Sequence, residues 1–87
     1  MTRLVWVKGG TAEILALTED TVTLRSTTPS PPGSRIDGAL AEDLSVKVRF
    51  KVHASKRQED GTFVLEGRPI DLAKAVRERL RGSLPSV

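Results

Sequence analysis

The chain has no cysteine and no tyrosine, and its 87 residues include one tryptophan, two phenylalanines and one histidine. Without cysteine, neither disulfides nor thiolate–metal sites are available. A lone histidine leaves no ligand set for structural zinc. No apolar run is longer than Leu4–Val7, far short of the ~20 residues that cross a bilayer as a helix. Arg3 followed by four apolar residues does not read as a secretory signal. The expectation is a soluble cytoplasmic domain with no membrane insertion. A chain of this length forms one domain, residues 1–87, with a thin margin of stability. Clustered carboxylates and a glycine-rich phosphate loop are also missing, so an enzyme is not expected and no cofactor is called for.

Acidic residues are absent from one stretch in particular. Residues 44–58 carry five basic side chains and no acidic one, whereas residues 1–43 carry four basic and six acidic. Residues 68–81 add five basic against two acidic. The second half therefore holds the positive potential behind the net charge of +3. Such a surface favours anionic partners in general.

That same stretch has the clearest pattern in the chain. Val46, Val48, Phe50, Val52 and Ala54 alternate with Lys47, Arg49, Lys51 and His53. A period of two predicts a strand over Val46–Lys56, with a buried apolar face and a wet basic one. On the wet face His53 reads as an ordinary exposed imidazole. Glu59-Asp60-Gly61 then marks a turn, and Thr62 to Glu66 runs back as a second strand.

The earlier residues read as shorter strands. Thr2–Val7 ends at the turn signal Gly9-Gly10, and Thr11–Thr18 with Thr21–Thr27 forms a hairpin around Thr18-Glu19-Asp20. Three prolines between Pro29 and Gly33 exclude helix and central strand, and predict a surface loop. Ser34–Leu40 is a further strand, and Glu42-Asp43 a further turn. One helix is expected, over about residues 71–81. Asp71 is its predicted N-cap, Leu72, Val76 and Leu80 form its buried stripe, and Gly82 ends it. Residues 83–87 read as a flexible tail. Six hairpin-connected strands and one helix predict a mainly β domain. It is expected to be a small six-stranded antiparallel barrel whose open end or side receives the helix stripe.

The order of these elements resembles the PilZ family over nearly the whole chain. The resemblance rests on the first hairpin, Pro32-Gly33 before a strand, the long basic strand, the Asp60-Gly61 turn and the closing amphipathic helix. It implies a PilZ-like, split-barrel-type fold and a bacterial signalling role, in which cyclic di-GMP binding is passed on to a partner. Two motifs carry that binding in the family: Arg-x-x-x-Arg ahead of the first hairpin, and Asp/Asn-x-Ser-x-x-Gly within it. Here the corresponding basic residues are Arg3 and Lys8, five apart. The second motif falls on Ala16, Thr18 and Thr21. Ala16 has no carboxylate or amide, and Thr21 cannot cheaply take a positive φ as glycine does. The resemblance therefore implies a divergent member with weak or no cyclic di-GMP binding, serving as a protein-interaction module.

The candidate site residues follow from these readings. Arg3, Lys8 and Thr18 are the degenerate ligand positions. Lys47, Arg49, Lys51 and Arg68 form the candidate interaction surface for an unidentified protein partner, together with Trp6, which reads first as a core or rim residue and second as a contact. The alternative is a small basic barrel that binds nucleic acid. Against it stands the shortage of aromatic stacking platforms, since Phe50 and Phe63 both read as buried.

Overall fold

The computed structural model describes residues 3–18 and 20–82, with side chains to Leu80. Six strands precede one helix: β1 (Arg3–Trp6), β2 (Thr11–Leu17), β3 (Val22–Ser26), β4 (Arg35–Leu40), β5 (Lys47–Arg57), β6 (Phe63–Pro69) and α1 (Lys74–Gly82). They close into an antiparallel barrel in the order β1-β2-β3-β6-β5-β4. The mainly β, six-stranded barrel with a C-terminal helix predicted from the alternation is thus the fold observed. The predicted tail at residues 83–87, Thr2 of the first strand and Glu19 of the first hairpin lie outside the described residues.

The core follows from the period of two. Leu4 and Trp6, Ala12 and Ile14, Val22 and Leu24, and Val48, Phe50 and Val52 are all buried. Their alternate neighbours face outward, as a closed sheet with one interior requires. Trp6 and Phe50 meet edge to face, with centroids 6.3 Å apart and planes at 83°. The Trp6 indole N–H donates to Ser26 Oγ at 2.9 Å, and Ser26 Oγ donates to the Thr28 carbonyl at 2.7 Å. Both buried polar groups are thereby satisfied, so the hydrogen bonds offset the cost of taking the indole N–H out of water.

Two glycines allow this packing. A Cβ at Gly38 would stand 2.7 Å from Trp6 Cε3, so the ring lies directly on the β4 backbone. A Cβ at Gly67 would stand 2.0 Å from the Lys51 carbonyl oxygen, beside a bulge in β5 between Val52 and Ala54. Glycine at such points lets a barrel turn a corner.

The bulge corrects part of the predicted alternation. Ala54 was expected in the core but is exposed, because the residue inserted at His53 shifts the register and sets Ala54 on the outer face, opposite exposed Glu66. Val46 and Phe63, also expected inside, are half-buried and pack against the edge of the core.

The helix also differs at its start. Asp71 has φ 48°, a left-handed conformation, so it is not the N-cap. The first helical bond runs from the Arg77 N–H to the Ala73 carbonyl at 2.9 Å. Asp is among the residues that take this conformation at modest cost, here to redirect the chain from β6 to α1. The predicted stripe does its work: Leu80 is fully buried, and Leu72 and Val76 pack against the core. Arg79 pairs with Asp43 at 3.1 Å, tying α1 to the β4–β5 turn.

Candidate interaction surface

The outer face of β4, β5 and β6 gathers the cations. Register sets their neighbours: Arg35 lies opposite Lys51, and Lys51 opposite Arg68. Residues directly opposite in an antiparallel pair share a face of the sheet. Three cations on three adjacent strands therefore form one transverse row. Among the described residues, no carboxylate lies within ion-pair distance of any of them. Like charges directly opposite destabilise a sheet unless solvent or an anion relieves them.

The row one step along β5 differs. Arg49 lies opposite Asp37 and is bonded to its carboxylate at 2.5 Å. That hydrogen bond, then the Asp37 charge, holds the Arg49 guanidinium above its ordinary pKa. Both side chains are about half exposed, so the pair contributes little to stability. Lys47 is exposed opposite Ala39. Of the predicted basic residues, Lys47, Arg49, Lys51 and Arg68 thus share one outer face, but Arg49 already has its counter-ion.

Arg35 was missed in the sequence. Its outward position was readable from the inward Ile36 next to it, but its place beside Lys51 depends on the β4–β5 register. Next to this face, His53, Arg68, Pro69, Ile70, Asp71 and Asp20 line an open depression of about 620 Å³. It mixes both signs of charge.

Trp6 does not belong to a surface. It is 5% exposed and held by Phe50 and Ser26, which corrects its assignment to the interaction face. Its ring borders a smaller recess of about 210 Å³ with Lys8, Pro29 and Ile36. The degenerate motif positions are not brought together. Arg3 pairs with Glu13 at 3.2 Å on the outer face of β1 and β2. Lys8 lies past the other end of β1, in the turn to β2. The Thr18 hydroxyl is taken up inside its own turn, accepting from the Thr21 N–H at 3.0 Å and meeting Thr21 Oγ1 at 2.7 Å.

Among the described residues no group of three His, Cys, Asp or Glu side chains is placed to hold a metal, and no helix is long and apolar enough to cross a membrane. Compared with family models, curated proteins and solved structures, the chain matches none.

Proposed function

We propose that this domain is a non-enzymatic interaction module of the PilZ-like kind, which regulates an acidic partner protein in a bacterial cytoplasm and has weak or no affinity for cyclic di-GMP. The observation that carries the partner's charge is the transverse row Arg35–Lys51–Arg68, with no carboxylate in ion-pair reach. A row of this kind costs stability in isolation and is relieved by an anionic surface. The family reading is supported by the six-stranded barrel and the closing helix, which the resemblance implies. Weak nucleotide binding is supported by the separation of Arg3 from Lys8 and by the engagement of Arg3 with Glu13.

The nucleic-acid alternative draws on the same cations but lacks a stacking platform. Trp6 and Phe50 are buried and Phe63 is half-buried. Base stacking on exposed aromatics is what normally gives such barrels affinity for single strands.

The test is an amide-shift titration of the labelled domain at physiological salt with three probes: a glutamate-rich peptide, cyclic di-GMP and an oligothymidylate. The peptide is expected to shift resonances around Arg35, Lys51 and Arg68, and the triple change of these residues to glutamate is expected to abolish the shifts. Saturable micromolar binding of cyclic di-GMP overturns the ligand part of the reading. Binding of the oligothymidylate alone overturns the partner class.

A further inference from the structure

The barrel is closed, yet β5 outruns it. Its pairing with β4 ends at Lys51 opposite Arg35. The last backbone bonds on that side join Val52 to the proline loop: the Gly33 N–H donates to the Val52 carbonyl at 2.7 Å, and the Val52 N–H to the Ser34 carbonyl at 2.8 Å. From Ala54 to Arg57, β5 is paired with β6 alone, and every residue from His53 to Arg57 is exposed.

The direction of the free backbone groups follows from the ladder. The Gln58 N–H donates to the Thr62 carbonyl at 2.7 Å, so Gln58 faces β6. Backbone groups alternate sides along an antiparallel strand. Lys56 and Ala54 therefore also face β6, and Ser55 and Arg57 turn their N–H and C=O groups away from it. Among the described residues no backbone group bonds to Ser55 or Arg57 on that side. This is an open edge with two donors and two acceptors in strand spacing.

The chemistry of the edge selects its occupant. Lys56 and Arg57 lie on it, Lys51 lies just before it, and residues 44–58 contain no acid. Two copies of this chain joined edge to edge would bring these cations together, and like charges across a strand pair repel. An acidic strand meets the opposite situation. We propose that the His53–Arg57 edge of β5 accepts an extended acidic segment of a partner protein as an added strand. The sign of the partner rests on the function proposed above; the place and the extended conformation rest on the open edge.

The experiment uses the full chain and two capped heptapeptides of alternating glutamate and threonine, one with ordinary amides and one methylated at every backbone nitrogen. Saturation with the first is expected to slow hydrogen exchange at Ser55 and Arg57 at least about tenfold, and methylation to weaken binding at least about tenfold, because a methylated strand donates no ladder bonds. Ser55→Pro is expected to weaken binding similarly, since proline is tolerated at an edge whose N–H faces solvent. If that variant fails to fold, the methylated peptide decides on the unaltered protein. Equal binding of both peptides, with shifts at Arg35, Lys51 and Arg68 and no protection at Ser55 or Arg57, overturns the added strand and leaves the acidic-partner reading standing. No binding of either peptide overturns both. Self-association through this edge at micromolar concentration overturns the proposed occupant in favour of a second copy.

Discussion

The two halves of β5 are built from similar residues and have different fates. Lys47–Lys51 pairs with β4 and Phe50–Val52 with β6, and the inward side chains Val48, Phe50 and Val52 are at most 4% exposed. His53–Arg57 carries the cations Lys56 and Arg57 but has β6 on one side only, and none of its side chains is buried. The difference is not one of propensity. Ala54 continues the apolar alternation without a break, yet the bulge at His53 turns it to the outer face, opposite exposed Glu66. An alternating pattern specifies faces only along an unbroken pleat; one inserted residue reverses them for everything beyond it. The first half is therefore a structural element and the second is a surface.

Truncation should separate the halves most sharply. Phe50→Ala is expected to cost ~3–5 kcal/mol, enough to unfold much of so small a domain, because a fully buried ring leaves a cavity against Trp6. Ser55→Ala is expected to stay within ~0.5 kcal/mol, as exposed substitutions do. Urea denaturation of both variants measures the contrast. A Ser55→Ala loss as large as that of Phe50→Ala would show that the second half is covered after all.

The junction between the halves comes next. Gly67→Ala places a methyl 2.0 Å from the Lys51 carbonyl oxygen, a backbone atom that cannot swing aside. An expected cost of ~1–3 kcal/mol follows from overpacking. Thermal unfolding reads it, and Gly61→Ala at the hairpin tip is not a neutral control, because Gly61 has φ 86°.

Acid should act on the turns that bound the two halves. Asp43, in the turn before β5, accepts from the Ser45 hydroxyl and N–H and pairs with Arg79, and these contacts hold its carboxyl below the ordinary aspartate range. Asp60, at the tip after β5, is lowered in the same direction by the Thr62 hydroxyl and N–H. A lowered carboxyl stabilises the fold fully above its unfolded pKa, and the contribution is lost as pH falls through the lower folded value. The variants Asp43→Asn and Asp60→Asn are each expected to flatten the fall in stability below about pH 4. Circular dichroism against pH checks the direction, and an unchanged acid limb in both would contradict it.

The smallest effect is the finest test. Hydrogen exchange in the free protein is expected to alternate along the second half, slow at Lys56 and fast at Ser55 and Arg57, while both parities between Phe50 and Val52 are slow. Uniform protection from His53 to Arg57 would mean that the edge is already occupied.

Much of this architecture is legible in the sequence. Val48, Phe50 and Val52 announced a buried strand face, Gly9-Gly10 and Asp60-Gly61 announced turns, and Leu72, Val76 and Leu80 announced a helix that must dock. The helix start was not legible, because Asp71 suits an N-cap and a left-handed turn equally well, and the approach of α1 to the barrel decided between them. Trp6 reads as core or contact because an indole fits either, and the core reading is the one observed. Its burial depended on Gly38 and Ser26, distant residues that give its ring a flat bed and its N–H a partner.

The candidate site divides in the same way. That residues 44–58 carry cations and no acid is a property of the sequence, as is the outward direction of Lys47, Arg49 and Lys51, since both follow from composition and a period of two. That Arg49 is neutralised by Asp37 while Lys51 stands between Arg35 and Arg68 was decided by the register between strands far apart in the chain. The open edge at Ser55 and Arg57 was decided by how far β4 follows β5 before the proline loop leads it away. Local pattern fixes the face of each side chain as far as the pleat is unbroken, because pleating is a property of one strand; the bulge at His53 is set by the pairing with β6. Which charges meet, and which backbone groups go unpaired, depends on neighbours that only the closed barrel brings together.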